Sequence, residues 1–371
     1  MSTAHVNGQG LTAAAIIESY FYEWSDFGEM GRWVEELDGL LDSVTFEDES
    51  GAETRVYTSM LLGILYVAPE HPRRAEVVRQ VSKILDEERD ANRCVATGMM
   101  LLSYSNLVCD MAMGARVLAT IKPQLLRPEI TPFNLVWWYL REGYYHMIKG
   151  DYDAAKEALD RAVSIGETHG LQGARRTSIL IASYQISCHA MLGDVRGART
   201  WYQRVVDMAD QRRPMDELHL AQSRVHVECA AANYEYIAGA AEHLIDAAMR
   251  TGQRYIQMLS VEHAATAYAI LGWRTEFDRT RRRLAEMVSG TCFGFLECQA
   301  KFLDAVIALR EGAVERAPGL IRAALDFARD RQFEYPQMAR YSITTGDVLD
   351  EAFRLGLDTD YATMIVRRYR V

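Results

Sequence analysis

The sequence predicts an all-α fold, a right-handed α-solenoid of about eight antiparallel helix hairpins with a period near 40 residues. Three observations carry this reading. Long stretches rich in Ala, Leu, Met, Arg and Glu dominate, and alternation of β-branched residues is hard to find. Turns followed by Ala-rich helices recur: Gly150 to Gly193 is 43 residues, Gly193 to Gly272 is 79, nearly two units, and Gly272 to Gly312 is 40. Small and apolar residues also repeat at a spacing of four then three, in Ala155/Leu159/Ala162, Ala198/Tyr202/Val205, Ala241/Ile245/Ala248 and Ala317/Ile321/Ala324. That spacing places each triple on one helix face.

Taken in order, residues 1–11 are polar and Gly-containing and read as a disordered lead-in. Residues 12–371 read as one helical-repeat domain. Its turns fall at Phe27-Gly28, at Pro69 to Pro72 and at Asp110 to Gly114. The run from Trp137 to Ala155 then reads as a helix, a Gly150-Asp151 turn and a second antiparallel helix, with Gly143 and Ala155 small where the two must approach. An aromatic early in the first helix, a midway glycine and an alanine early in the second form a tetratricopeptide-like hairpin. Later turns fall at Gly193-Asp194, near Tyr236 to Gly239, at Leu271-Gly272 and at Glu311-Gly312. A closing helix follows at 358–371. The pattern is degenerate in units two, three and seven; in the seventh, Phe277 and Arg281 stand where a small and an apolar residue are expected. Each amphipathic hairpin needs its neighbours to bury its apolar face, so stacking supplies the core.

Composition narrows the function classes. The chain of 371 residues is 49% hydrophobic and 25% charged, ordinary for a globular protein with a substantial core. A net charge of −10 argues against direct nucleic-acid binding. The basic tract at Arg279 to Arg283 is flanked by acids on a helix and reads as a solvated face. No apolar run approaches the ~18 residues that span a membrane. Six cysteines without a C-x-x-C pair, and no secretory leader, suggest reduced thiols in a cytoplasm.

Catalytic signatures are missing: there is no phosphate loop, dinucleotide fingerprint, H-E-x-x-H or G-x-S-x-G. No cofactor, metal site or enzymatic activity is expected. His219, His226 and Cys229 share a helix face but read as packing residues, and Cys292 and Cys298, beside Gly290 and Gly294, read as buried in a repeat interface. What remains is surface. In this hairpin geometry the first helix of each unit lines the concave wall, which should present Trp137, Leu140, Arg141, Tyr144 and Ile148. Neighbouring helices add Tyr184 and Ser187, then His226, Ala230 and Tyr234, then Glu262. The candidate ligand-binding residues are Trp137, Arg141, Tyr144, Tyr184, His226 and Tyr234. Such a wall suits a partly apolar ligand with an anionic or hydroxyl group for Arg141; the alternative is that Trp137 and Trp138 fill the interface with the preceding hairpin.

Three stretches resemble a known family: Tyr57-Thr58-Ser59-Met60-Leu61-Leu62 through Pro69-Glu70-His71-Pro72, His169-Gly170 through Gly193-Asp194-Val195-Arg196-Gly197-Ala198-Arg199, and Ala324 to Arg331 followed by Ala352 to Tyr361 and Ile365-Val366-Arg367-Arg368. Together they resemble the helical-repeat sensor region of maltose-activator-like, ATP-dependent bacterial transcriptional regulators of the signal-transduction NTPase class. The sequence departs from that plan in carrying neither a phosphate loop upstream nor a DNA-binding module downstream, so it looks like the isolated sensor domain. The resemblance implies binding of an inducer, a small molecule or a regulatory protein, relayed to ATPase and DNA-binding modules. The alternative reading is a protein-interaction scaffold for a peptide, a regulatory protein or a second copy of the chain.

Overall fold

The structure, a computed structural model, describes residues 3–46, 51–171, 175–331 and 342–369. It contains eighteen α-helices and no strand among the described residues. The helices are α1 (Thr3–Glu23), α2 (Met30–Leu41), α3 (Ala52–Tyr66), α4 (Arg74–Glu87), α5 (Ala91–Val108), α6 (Met111–Ile121), α7 (Pro132–Ile148), α8 (Tyr152–Thr168) and α9 (Arg175–Met191). They continue as α10 (Val195–Met208), α11 (Pro214–Ala230), α12 (Tyr234–Arg250), α13 (Arg254–Leu271), α14 (Arg274–Val288), α15 (Gly294–Arg310), α16 (Ala317–Asp330), α17 (Ser342–Arg354) and α18 (Thr359–Tyr369). A single 3₁₀ turn spans Gln124–Leu126.

Consecutive helices pair as antiparallel hairpins, and the odd-numbered helices form an inner layer in which each packs on the next from α1 to α11 and from α13 to α17. Odd helices are covered on both sides: α13 buries nearly every residue from Tyr255 to Ala269, whereas α10 buries only Ala198 and Val205. The even helices therefore form the outer layer, amphipathic and wet on one face. The small–apolar seams lie in this outer layer and point inward. Ala155, Leu159, Ala162, Ala241, Ile245, Ala248, Ala317, Ile321 and Ala324 are buried, while Tyr202 is half-buried. In the seventh hairpin Thr280 replaces Arg281 on the core face, and the Arg281 guanidinium turns out to Asp304 at 3.1 Å.

The turns of the third to sixth hairpins share one chemistry. The inner helix ends on a residue with left-handed backbone, and an Asp or Asn then caps the outer helix. Gly150 and Gly193 supply positive φ, and Asp151 and Asp194 accept from the backbone N–H of Ala154 (3.2 Å) and Gly197 (2.9 Å). Cys109 and Ala232 do the same without being glycine, at φ of 59° and 54°. This corrects two expectations. The turn sought near Tyr236 to Gly239 lies at Ala231 to Asn233, where Asn233 caps α12 through Tyr236 N–H at 3.3 Å. The turn sought across Asp110 to Gly114 ends at Asp110, since α6 begins at Met111. The lead-in at 1–11 is, from Thr3, the first part of α1. The closing segment is a ninth hairpin, α17 and α18; residues 370 and 371 of the expected closing helix lie outside the described residues.

The array curves far enough to meet itself. The α1–α2 loop docks on the start of α11 and on the α12–α13 turn, with Phe27 N–H donating to Thr251 O at 2.7 Å and Met215 N–H to Ser25 O at 3.2 Å. Arg213 secures the same loop through the Glu23 carboxylate (3.0 Å) and the Glu23 carbonyl (2.7 Å).

Candidate functional site

Because the odd helices form the inner layer, side chains one turn apart on α5, α7, α9, α11 and α13 converge on one cavity of about 820 Å³, its open mouth included. Trp24 and Tyr66 close one side, and no lining residue is acidic. The polar lining includes Asn106 from α5, Ser183 and Ser187 from α9, His219, Gln222 and His226 from α11, and Gln253 just before α13.

Arg141 is the charged centre of this wall. It is only 7% exposed. One Nη donates to the Tyr184 hydroxyl, the other reaches the Tyr66 hydroxyl at 3.4 Å, and Nε–H has no partner within the protein. The Tyr184 phenol remains neutral at physiological pH, since burial pushes it up to about 12. Tyr144 stacks on Tyr184 at 5.5 Å between centroids and shares a 3.2 Å hydrogen bond with the Tyr255 hydroxyl. A second guanidinium, Arg176, lies behind the cavity wall with its Cζ 4.2 Å from the Trp137 ring centroid, 4.3 Å from that of Phe21 and 4.7 Å from that of Trp24. Burial, and then the like charge of Arg141, pull Arg176 down to about 9. Neither arginine has an ion-pair partner among the described residues, so the rings supply the stabilisation through their negative faces.

His219 joins the cavity to the closing contact. Trp24 Nε1–H donates to His219 Nε2 at 2.9 Å, which assigns the proton to Nδ1, facing Ser183 Oγ at 3.3 Å. Burial, with Arg176 nearby, lowers its pKa to about 4. His226 Nδ1 lies 2.9 Å from Ser187 Oγ. Several buried polar atoms of this wall lack protein partners: Asn106 Oδ1, Gln222 Nε2 and Gln253 Oε1. Asn106 is oriented by its Nδ2, which donates to Arg141 O at 3.0 Å.

Of the residues named from sequence, Arg141, Tyr144, Tyr184 and His226 line this cavity, and Ser187 with them. Trp137 does not. It is 1% exposed and packs against Phe21 of α1, Phe133 of its own helix and Arg176 of α9. Tyr234 also lies away from the cavity, because the misplaced turn puts it at the head of the outer helix α12. Leu140 and Ile148 are core residues, and Glu262 is buried among His263, Thr266 and Gln299. Sequence reasoning missed Trp24, Tyr66, Asn106, Gln222, Gln253 and Tyr255. One signal was present: His219, Gln222, Ser223 and His226 form a polar stripe at helical spacing on a helix whose other faces are packed. Trp24 and Tyr66 arrive through curvature and carry no local signal. The thiol of Cys292 is pushed up to about 11 by burial, the reverse of what activates a nucleophile.

The fold and site define a class: a curved helical-repeat scaffold whose concave side holds a largely apolar cavity with a buried arginine and a few polar side chains. No protein-family model matches the chain, and no curated protein matches it in sequence. Solved structures do match. A Rap protein in complex with competence and sporulation factor superposes with a TM-score of 0.63 at 8% identity, over 100% of this chain and 96% of its own. The apo form of RapI gives a TM-score of 0.40 at 10% identity, over 85% of this chain and 97% of its own. At such identity the first likeness is one of fold, and it places the chain among helical-repeat proteins. No described helix is long and apolar enough to cross a membrane.

Proposed function

We propose that this protein is a regulatory helical-repeat scaffold that binds a short peptide, free or as a segment of a partner protein, in the concave cavity, without chemistry of its own. The observation that carries the reading is the set of buried, unpartnered polar atoms on the wall: acceptors at Asn106 Oδ1 and Gln253 Oε1, donors at Gln222 Nε2 and Arg141 Nε. An unpartnered buried polar group costs roughly 1–3 kcal/mol. A mixed donor and acceptor set is what the N–H and C=O groups of an extended peptide would satisfy, and the Tyr144, Tyr184 and Tyr255 rings offer faces for its side chains. The fold neighbour solved with a bound factor lends support to the same use of this architecture. A regulator's sensor domain responding to a small inducer would use the same cavity. The scaffold reading is preferred because the unpartnered amide atoms extend over α5, α11 and the α12–α13 turn, a span suited to several peptide units.

The test is to purify the full chain from its native host, release bound material with acid and sequence it by mass spectrometry. A defined peptide, whose synthetic copy raises Tm in proportion to its concentration, is the expected result. Recovery of a small metabolite instead of a peptide, with the same effect on Tm, would replace this reading by the inducer-sensing one.

A further inference from the structure

The cavity wall has an uncompensated charge. Arg141 is buried, faces the cavity and forms no ion pair among the described residues. Its two Nη groups meet phenol hydroxyls rather than carboxylates, and its Nε–H is unpartnered. Arg176 adds a second positive charge directly behind, close enough to Arg141 for the two to repel. Its Nε and one Nη also lack partners. In a chain of net charge −10, acids are plentiful, yet none lines this cavity. Neighbouring carboxylates are engaged elsewhere: Asp216 with Arg175, Glu228 with Arg224, and Glu23 with Arg213.

Burying a guanidinium without a counter-charge is costly, and structures normally avoid it by pairing. Here the protein holds the group in place with Tyr184, Tyr66 and the Trp137 ring, 5.6 Å from the Arg141 Cζ, and leaves donor capacity free. A guanidinium has five N–H donors in a planar fork that matches a carboxylate.

We propose that Arg141 is the anchor for an ionised carboxylate of the ligand, with Arg176 supplying a second, non-contacting charge. This rests on the peptide reading for the carboxylate's source, which would be a chain terminus or an acidic side chain; a small carboxylic acid is the other source of the same chemistry. The anchor is preformed: stacking of Tyr144 on Tyr184 and the Tyr184–Arg141 hydrogen bond fix the fork before a ligand arrives.

The experiment uses the full chain and four pools of random pentapeptides: with free or amidated C termini, and with or without Asp and Glu. The compound 4-hydroxyphenylacetate serves as the non-peptide carboxylate. Binding is read by tryptophan fluorescence, since Trp24 lines the cavity, and by thermal shift. The amidated pool lacking Asp and Glu is expected to bind at least about tenfold more weakly than the others, and Arg141→Gln to erase the difference. Arg141→Gln is also expected to leave the ligand-free Tm unchanged or higher, because it removes an unpaired buried charge. A structural arginine would instead lower it. If all four pools bind alike to both proteins, the carboxylate anchor is overturned while the peptide reading stands. Arg141-dependent binding of 4-hydroxyphenylacetate alone supports the anchor and removes the peptide reading. No binding by any probe overturns both.

Discussion

At the scale of single residues, burial holds Tyr184 and His219 of the site in their neutral forms. His219 is the clearest. Its imidazole is neutral, accepts from Trp24 and faces Arg176, so a second proton would place two cations side by side in a dry wall. The folded pKa of about 4 lies below the unfolded value near 6.5, so the unfolded chain binds more protons between them. The contribution is fully present above about pH 6.5 and is lost as pH falls through 4, amounting to roughly 3 kcal/mol. Urea unfolding of the full chain at pH 7, 5.5 and 4.5 should show this decline, and His219→Gln should flatten it. A variant as acid-sensitive as the parent would place the effect elsewhere. Of the residues sequence reasoning found, Arg141, Tyr144 and Tyr184 lie on inner helices whose register a Gly-Asp turn fixes nearby, and His226 on one followed by the Ala232-Asn233 turn. Trp137 was misassigned because adjacent positions on a helix covered from both sides look equally inward in sequence, and only the neighbouring Phe21 and Arg176 decide which one is core.

At the scale of helices, close approach sets the hairpin geometry. A Cβ at Gly143 would lie 2.8 Å from both Cγ and Cδ2 of Leu159, and 3.4 Å from the Ala155 carbonyl oxygen. Leu159 is fully buried and has nowhere to swing, so Gly143→Ala forces α7 and α8 apart. The expected loss is about 1–3 kcal/mol by thermal or urea unfolding. Leu159→Val should recover part of it when combined with Gly143→Ala, and a strictly additive double mutant would contradict the contact. The fourth and fifth hairpins were legible because they carry their instructions locally: a left-handed glycine, an Asp cap and a small-residue seam. The α11–α12 turn was misread because Ala232 takes the left-handed backbone in place of glycine. The amide of Asn233, accepting from Tyr236 N–H and donating to Glu228 at 2.7 Å, was the surviving mark of the turn.

At the scale of the whole molecule, the closure of the array on itself decides how it behaves. An open solenoid is stabilised by nearest-neighbour terms, and its ends act independently. Here the α1–α2 loop is bonded to the sixth hairpin and to the turn before the seventh, so the first hairpin is tied to distant ones. No sequence pattern announces this, because curvature is the sum of small rotations over many repeats. The contact is tightest at Gly252, whose φ is +71° and where a Cβ would lie 2.6 Å from Gly28 N and 2.8 Å from both Gly28 Cα and Phe27 C, all backbone atoms. Those atoms cannot turn aside as a flexible side chain can. Gly252→Ala should therefore push the loop away, break the Phe27–Thr251 hydrogen bond and draw Trp24 from His219. The helix content by circular dichroism should hold, because each hairpin keeps the packing of its two helices on each other. Tryptophan emission should shift to the red, protease should cut between Ser25 and Glu29, and the urea m-value should fall as the first hairpin unfolds separately. A variant that keeps the parent's emission, protease resistance and single steep transition would mean that the closure contributes nothing to cooperativity, and that the array unfolds as an open solenoid would.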